Sequence, residues 1–168
     1  LNSENRISKK PEYDTEDSYK KNYNKKHKFK VKDKRAYKIR GKNIKLGAVS
    51  VNHLIINLEQ LKEEATKYNV TITQYLTAVI LYCVYKENYI DNKDKRPVKI
   101  CIPVNLKKYF TSKTMTNFFS YIILSADFQR SDITEFEKLL NFVKNEFESK
   151  LTEEEILKIM SDNVKFGN

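Results

Sequence analysis

Uncharged polar side chains that could bind a substrate lie between two apolar runs in residues 97–127. They are Asn105, Thr116 and Asn117. Amide and hydroxyl groups of this kind donate or accept hydrogen bonds without bringing a charge into a site. A loop framed by two core strands often carries function, which makes these three residues candidates for substrate binding. The same residue types also favour turns and strand ends, so a purely structural role is the alternative.

Three lysines in the same connection could add positive charge to such a site. They are Lys107, Lys108 and Lys113. Lysine is a competent point-charge partner for phosphate, so this cluster could bind a ligand that carries phosphate groups. A solvated loop is the alternative interpretation, because lysine is mostly exposed in folded proteins.

His53 is the histidine that could act as a general base, which takes a proton from an attacking hydroxyl or amine. In the string HLIIN, Asn57 stands where an HxxxD motif would carry aspartate. Alternation also places His53 on one strand face with Val49, Val51 and Ile55, which favours a core or edge histidine over a catalytic one. The sequence shows no nucleophile-elbow serine and no Cys or His pair at metal-ligand spacing. We therefore assign no catalytic residue and no metal ligand.

Two predicted strands frame the candidate site. Residues 98–104 alternate in hydropathy with the period of a strand. Residues 118–126 are apolar at nearly every position, which predicts a strand buried on both faces. Two further strands are predicted earlier, at residues 37–40 and 44–56, on either side of a turn at Gly41.

Four helices are predicted from capping-box patterns, in which a polar residue precedes Glu or Gln by three positions. The four pairs are Asn57 and Gln60, Thr71 and Gln74, Asp132 and Glu135, and Thr152 and Glu155. The second helix, residues 72–86, is apolar on most faces and is expected to lie deep. The order β-β-α-α-β-β-α-α predicts an α/β (α+β) fold with a mixed sheet flanked by helices.

The string PVNLKKYFTSKTMTNFFSYI, which begins at Pro103, resembles the segment PVNLR-x-F-x-S-x-T-x-x-NFF of bacterial alcohol acetyltransferase-like proteins. Those proteins belong to the superfamily of chloramphenicol acetyltransferase and of the condensation domains of peptide synthetases. The core of the match covers residues 103–121, and fainter matches extend from residue 16 to residue 127. EDSYKKNY, residues 16–23, resembles the short aromatic-acidic motif that follows the family's catalytic motif. Residues 70–85 resemble the helix that precedes the family's PVNLR strand. Lys107 replaces the family's arginine, which keeps the charge but loses the planar fork.

The resemblance implies the C-terminal subdomain of a chloramphenicol acetyltransferase-like fold. It implies transfer of an acyl group from a thioester such as acetyl-CoA to a hydroxyl or amine, with acyl-CoA as donor substrate and no bound cofactor or metal. In the family the strand that carries PVNLR flanks the tunnel where the acyl donor and the acceptor meet. The implied substrate-binding residues are Asn105, Lys107, Thr116 and Asn117.

The superfamily's catalytic signature, HHxxxDG, is absent from the 168 residues. By the family's order it should precede Leu1, so the resemblance implies a fragment that is inactive alone and whose partner is a missing N-terminal catalytic half. Whether the chain belongs to an enzyme is left open. The alternatives are a non-catalytic binding module of the same fold and a basic nucleic-acid-binding protein.

The positive charge is concentrated in the first quarter of the chain. Residues 1–45 hold 16 Lys/Arg and 6 Asp/Glu, whereas residues 46–168 hold 16 of each. Residues 1–35 lack sustained apolar periodicity, so we expect a basic, partly disordered strap or linker there and an acyltransferase-like subdomain in residues 36–168. Lysines interleaved with Tyr and Phe can bind single-stranded nucleic acid. The chain has no nucleic-acid-recognition motif, however, so the linker is favoured.

Cysteine usage and hydropathy bear on location and association. Cys83 and Cys101 each lie in an apolar run, which predicts buried free thiols and favours a reducing, cytoplasmic setting. No apolar run has the ~18 residues of a membrane-spanning helix. The strand segments carry more apolar positions than one helical layer needs, so we expect a homodimer or higher oligomer that buries sheet surface or a strand edge.

Overall fold

The computed structural model describes residues 16–23, 34–39, 41, 47–48, 51, 53–129 and 132–166, with side chains described up to Ser161. This part of the chain contains five α-helices and a two-stranded antiparallel sheet, so the predicted mixture of helices and strands is confirmed. The helices are α1 (Ser18–Asn22), α2 (Leu58–Lys67), α3 (Ile72–Val84), α4 (Phe136–Lys150) and α5 (Glu153–Phe166). The strands are β1 (Val98–Asn105) and β2 (Phe119–Ala126).

Two short irregular turns extend these elements. A π-helical turn, Tyr85–Tyr89, continues α3, and a 3₁₀ turn, Leu106–Lys108, follows β1. The Leu106 amide, directly after β1, donates to the Phe118 carbonyl, directly before β2, over 3.0 Å. This bond fixes the register of the two strands at the end next to the connecting loop. None of the helices among the described residues has the length and apolar composition needed to cross a lipid bilayer.

Three of the four predicted helix starts are confirmed by side-chain hydrogen bonds to the backbone. The Asn57 side chain accepts from the Gln60 amide, and the Thr152 hydroxyl accepts from the Glu155 amide. Thr71 and Gln74 form a reciprocal capping box, with bonds of 3.2 and 2.8 Å. These bonds satisfy amides of the first turn that have no intrahelical partner.

The predicted start of the third helix, at Asp132, is wrong, because α4 begins at Phe136. The Asp132 carboxylate lies 2.7 Å from the Lys138 Nζ, and the Glu135 carboxylate lies 3.2 Å from the same atom. Both carboxylates therefore pair with a lysine of the first helical turns instead of forming a capping box.

The two early strands are not formed in the described residues. Residues 34–39 contain no strand, and Tyr37 makes one backbone bond, from its amide to the Pro97 carbonyl. Residues 53–57 are irregular and exposed, and part of the predicted strand 44–56 lies outside the described residues. A strand needs a neighbouring strand for its backbone groups, and alternation in sequence does not provide one.

The second predicted strand of the site is confirmed as β2, but the expectation that both of its faces are buried is wrong. Ser120, Ile122, Leu124 and Ala126 are buried, whereas Phe119, Tyr121 and Ile123 are 50%, 38% and 40% exposed. An antiparallel sheet often covers only one of its faces, and alternate side chains then meet solvent.

The prediction that both cysteines are buried is also wrong. Cys83 on α3 and Cys101 on β1 are both free and exposed. Each lies at a position of its element whose side chain points away from buried neighbours, such as Ile102 beside Cys101. An apolar run therefore predicted the element but not the side on which the thiol lies.

The chain divides into two compact units. The first comprises residues 1–31, 102–122 and 150–168, and in its described part α1 contacts α5. Its buried apolar side chains include Leu106, Phe118, Ile122, Ile156 and Met160. The four candidate binding residues all belong to this unit.

The second unit comprises residues 32–101 and 123–149 and is rich in aromatic contacts. Tyr85 stacks on Phe128 with ring centroids 4.5 Å apart, and Phe136 meets Tyr75 and Tyr82 edge to face. The predicted domain boundary at residue 35 stays a prediction, and most of the predicted disorder falls on residues 1–15 and 24–33, which lie outside the described residues.

Candidate functional site

A cleft of about 580 Å³ lies in the first unit, between the end of β1 and the start of β2. All four predicted substrate-binding residues line it, and Met115 and Phe119 form apolar parts of its wall. The residues come together because β1 and β2 are antiparallel, which brings the end of one strand beside the start of the next. The structure thus groups the four candidates, and their role in binding stays a prediction.

Asn105 has a structural role that uses one half of its amide. It is the last residue of β1, and its Oδ1 accepts from the Lys107 amide over 3.0 Å, which caps the 3₁₀ turn. The side chain is exposed, and its Nδ2 has no hydrogen-bond partner among the described residues. Asn105 can therefore offer a donor to a ligand while its oxygen holds the turn.

Lys107 ties the two ends of the connecting loop together. Its Nζ donates to the Thr114 carbonyl over 2.9 Å, although Lys107 is an exposed residue. One of the three ammonium donors is used in this way, so two remain for an anionic ligand at the cleft. Lys108 and Lys113 are exposed and do not line the cleft, as expected of solvated loop residues.

Thr116 belongs to a chain of hydroxyl bonds inside the loop. Its Oγ1 lies 2.9 Å from the Oγ1 of Thr114, and its amide donates to the same hydroxyl over 3.3 Å. Thr114 is buried, and its own amide donates to the Ser112 Oγ. These bonds account for Thr116 by loop structure alone, as turn chemistry predicts.

Asn117 is the candidate that loop structure explains least. Its exposed side chain makes no hydrogen bond within the part of the chain that the structure describes. It lines the main cleft and also an adjoining cleft of about 230 Å³, whose wall includes Glu16, Ser18 and Tyr19. A free amide shared by two adjoining clefts offers both a donor and an acceptor to a ligand.

Tyr19 is a residue of the site that the sequence analysis did not single out. Its hydroxyl donates to the Phe119 carbonyl over 2.8 Å and accepts from the Phe119 amide over 3.1 Å. Its ring meets the Phe118 ring edge to face, with centroids 4.9 Å apart. The resemblance to the motif EDSYKKNY was a signal for this segment, since Tyr19 lies within it.

Glu16 and Ser18 join the same segment to the cleft loop. Ser18 is buried, and its Oγ donates to the Glu16 Oε1 and lies 2.7 Å from the Ser112 Oγ. The Lys113 amide donates to the Glu16 carboxylate, and with the Lys21 ammonium and the Ser18 hydroxyl it lowers the pKa of Glu16 from 4.5 to about 2. Three donors thus stabilise the ionised carboxylate.

Acidification is expected to release this contact. Because folding lowers the pKa of Glu16, its ionised form stabilises the fold above pH 4.5, and that contribution is lost as the pH falls from 4.5 towards about 2. The amide proton shift of Lys113 should report this titration in NMR spectra, with a midpoint near pH 2. Glu16→Gln, which does not titrate, should abolish the step. A midpoint near 4.5 in the unmodified chain would show that Lys113 does not bind the ionised carboxylate.

His53 does not take part in this site. It is exposed in residues 53–57, so the expectation of a core or edge histidine on a strand is wrong. Residues 53–57 form no strand, and no partner strand lies beside them within the described residues. The described residues also contain no group of three or more side chains that could hold a metal ion.

The cleft combines an apolar wall, two amides and an ammonium, and the residues that line it include no histidine, aspartate or glutamate. Such a surface can hold an elongated ligand that carries amide and anionic groups. It supplies no side chain that could take a proton from a nucleophile at neutral pH. Comparison of the chain with known protein families, with curated proteins and with solved structures found no match.

Proposed function

We propose that these residues form the substrate-binding part of an acyltransferase similar to the alcohol acetyltransferases and condensation domains. The reaction is transfer of an acyl group from a thioester such as acetyl-CoA to a hydroxyl or amine. In this proposal the subdomain corresponds to the C-terminal subdomain of a chloramphenicol acetyltransferase-like fold. The general base comes from a histidine that these 168 residues do not contain in the family's HHxxxDG form.

The observation that carries the proposal is the free amide of Asn117 at a cleft lined by the residues that the resemblance selects. Residues 103–121 carry the resemblance, and the walls of the cleft belong to the same stretch. An acyl-CoA has amide groups along its arm and phosphates at one end. The amide of Asn117 suits the first and the ammonium of Lys107 suits the second.

A non-catalytic binding module of the same fold is the second candidate. It is favoured by the absence of an acid or base among the side chains that line the cleft. Both candidates require that the cleft bind an acyl thioester, so binding is the property to measure first.

Acetyl-CoA is expected to bind the full 168-residue chain in a calorimetric titration, and to bind more tightly than ATP at equal concentration. Asn117→Ala should weaken binding by about 3- to 10-fold, since one neutral hydrogen bond is lost. Lys107→Met should weaken it by about 2- to 5-fold, because the lost charge belongs to an exposed residue. The matched control is Asn141→Ala, which removes an exposed amide on α4 in the other unit.

Three results would count against the proposal. They are failure of acetyl-CoA to bind, equal affinity for ATP, and an equal loss of affinity in Asn141→Ala. The first removes both candidate functions, whereas the second indicates a site for phosphate alone. The substituted side chains are exposed, so each variant is expected to remain folded.

A further inference from the structure

Asn117 carries a free side chain on a backbone whose neighbours are held on both sides. Its side-chain amide makes no hydrogen bond among the described residues. Before it, Thr116 donates its backbone amide to the Thr114 hydroxyl. After it, Phe118 is buried and accepts from the Leu106 amide. A binding group that is fixed before the ligand arrives loses less freedom on binding, so Asn117 has the properties of a preorganised binding group.

Tyr19 of α1 holds the two residues that follow Asn117. Its hydroxyl donates to the Phe119 carbonyl and accepts from the Phe119 amide, over 2.8 and 3.1 Å. Its ring lies edge to face against the Phe118 ring, with centroids 4.9 Å apart. Two hydrogen bonds at one residue and a ring contact at the residue before it restrict the backbone at both positions. Tyr19 therefore reaches Asn117 from its C-terminal side.

A chain of hydrogen bonds leads from Ser18 to the N-terminal side of Asn117. The Ser18 Oγ lies 2.7 Å from the Ser112 Oγ, which accepts from the Thr114 amide over 3.2 Å. The Thr114 Oγ1 in turn accepts from the Thr116 amide over 3.3 Å. Ser18 and Thr114 are both buried, which strengthens bonds of this kind. Two successive residues of α1 are thus connected to Asn117 from both directions along the chain.

The position of α1 is itself fixed by the rest of the first unit. A helix of five residues is too short to be stable alone in water. α1 contacts α5, which belongs to the same unit as the cleft loop. The Asn22 Nδ2 at its end donates to the Ser18 carbonyl over 2.9 Å and to the Thr111 carbonyl over 3.4 Å. α1 is therefore a supported point of attachment for the loop.

We propose that Ser18 and Tyr19 are positioning residues for ligand binding, which hold the Asn117 side chain at the main cleft. Neither residue lines that cleft, so both act through the residues on either side of Asn117. The inference rests on the proposed function for the identity of the ligand, acetyl-CoA. The order of Asn117 in the unliganded chain can be measured without that ligand.

NMR relaxation of the unliganded full chain tests the positioning directly. The Asn117 backbone amide is expected to have an order parameter of about 0.85, the usual value for a rigid backbone. Tyr19→Phe, which keeps the ring and removes the hydroxyl, should lower it towards about 0.6, and Ser18→Ala should lower it as well. The matched control is Tyr121→Phe, which removes a hydroxyl that makes no hydrogen bond among the described residues of the same unit. This control should leave the order parameter of Asn117 unchanged.

A double-mutant cycle with acetyl-CoA tests whether Tyr19 acts through Asn117. Tyr19→Phe should weaken binding by about 2- to 5-fold in the otherwise unmodified chain, and by no more than Asn117→Ala does. In the Asn117→Ala background the same substitution should weaken binding no further, because the group that Tyr19 positions is absent. A tyrosine that only stabilised the fold would lower the affinity by the same factor in both backgrounds.

The proposal is overturned if the order parameter of Asn117 stays unchanged in Tyr19→Phe and Ser18→Ala, or if it falls equally in Tyr121→Phe. It is also overturned if the losses of affinity in Tyr19→Phe and Asn117→Ala multiply in the double variant. Failure of acetyl-CoA to bind the unmodified chain would instead remove the proposed function, and the order parameters would then decide this inference alone.

Discussion

Replacing Leu106 by alanine is expected to lower the free energy of unfolding by about 2–5 kcal/mol, the usual cost of emptying a fully buried leucine site. Leu106 is 0% exposed, and its backbone holds the start of the cleft loop. Its amide donates to the Phe118 carbonyl, and its carbonyl accepts from the amides of Tyr109 and Phe110. A cavity at this position would loosen the loop that carries Lys107, so ligand binding should fall together with stability. A urea titration measures the first effect.

The control for this prediction is Met115→Ala, which shortens an exposed side chain at the same cleft. Its free energy of unfolding should stay within about 0.5 kcal/mol of that of the unmodified chain, because no buried contact is lost. If Leu106→Ala were as stable as Met115→Ala, the burial of Leu106 would not hold the loop in place.

These 168 residues are expected to show no acetyl-CoA-dependent transfer to hydroxyl or amine acceptors above the uncatalysed rate. A general base contributes a factor of ~10² to 10⁴ to such a reaction, and the cleft contains no residue that can act as one. The measurement is release of free thiol from acetyl-CoA with and without an acceptor. Exposed Cys83 and Cys101 should be replaced by serine for this assay, since both are free thiols.

His53→Ala is the control for the assay, because His53 is the one described histidine and lies outside the cleft. Its background rate should equal that of the unmodified chain. Transfer that persists in the unmodified chain and disappears in His53→Ala would assign His53 the role of base. The proposed division between a binding part and a separate catalytic histidine would then be wrong.

Helix starts could be predicted from the sequence because capping is local. The bonds at Asn57, Thr71 and Thr152 each join residues three positions apart, so the pattern and the contact lie within one turn. Asp132 shows the limit of this argument. The same pattern is present, but both carboxylates pair with Lys138 and the helix begins at Phe136.

Strand pairing and strand coverage could not be predicted in the same way because they depend on distant residues. Residues 44–56 have the alternation of a strand, yet residues 53–56 of this stretch are irregular, and the described part of the chain places no strand beside them. The apolar run of β2 fixes its extended form, yet nothing in the run indicates that Tyr121 and Ile123 meet solvent. Alternation and apolar content describe one strand, whereas burial depends on what the rest of the chain places beside it.

The candidate site could be predicted as a polar loop, but the hydrogen bonds of its side chains within the loop could not. Sequence alone treats Asn105, Thr116 and Asn117 alike, since all three have turn-forming polar side chains. The structure separates them, because Asn105 caps a turn and Thr116 bonds to Thr114, whereas Asn117 stays free within the described part. The contact of Tyr19 with Phe119 spans 100 positions and has no local signal.

The hydroxyl of Tyr19 constrains how this sequence can change by single mutations. Residues 119–126 are eight consecutive uncharged residues of high strand propensity, without proline or glycine, which is the composition of segments that stack into amyloid fibrils. At the first of these residues one side-chain oxygen occupies both backbone groups that a fibril strand would use. Phenylalanine at position 19 could keep the ring contact with Phe118 but would free that backbone position. A change that is conservative for packing would thus leave the Phe119 amide and carbonyl without the hydroxyl that now occupies them.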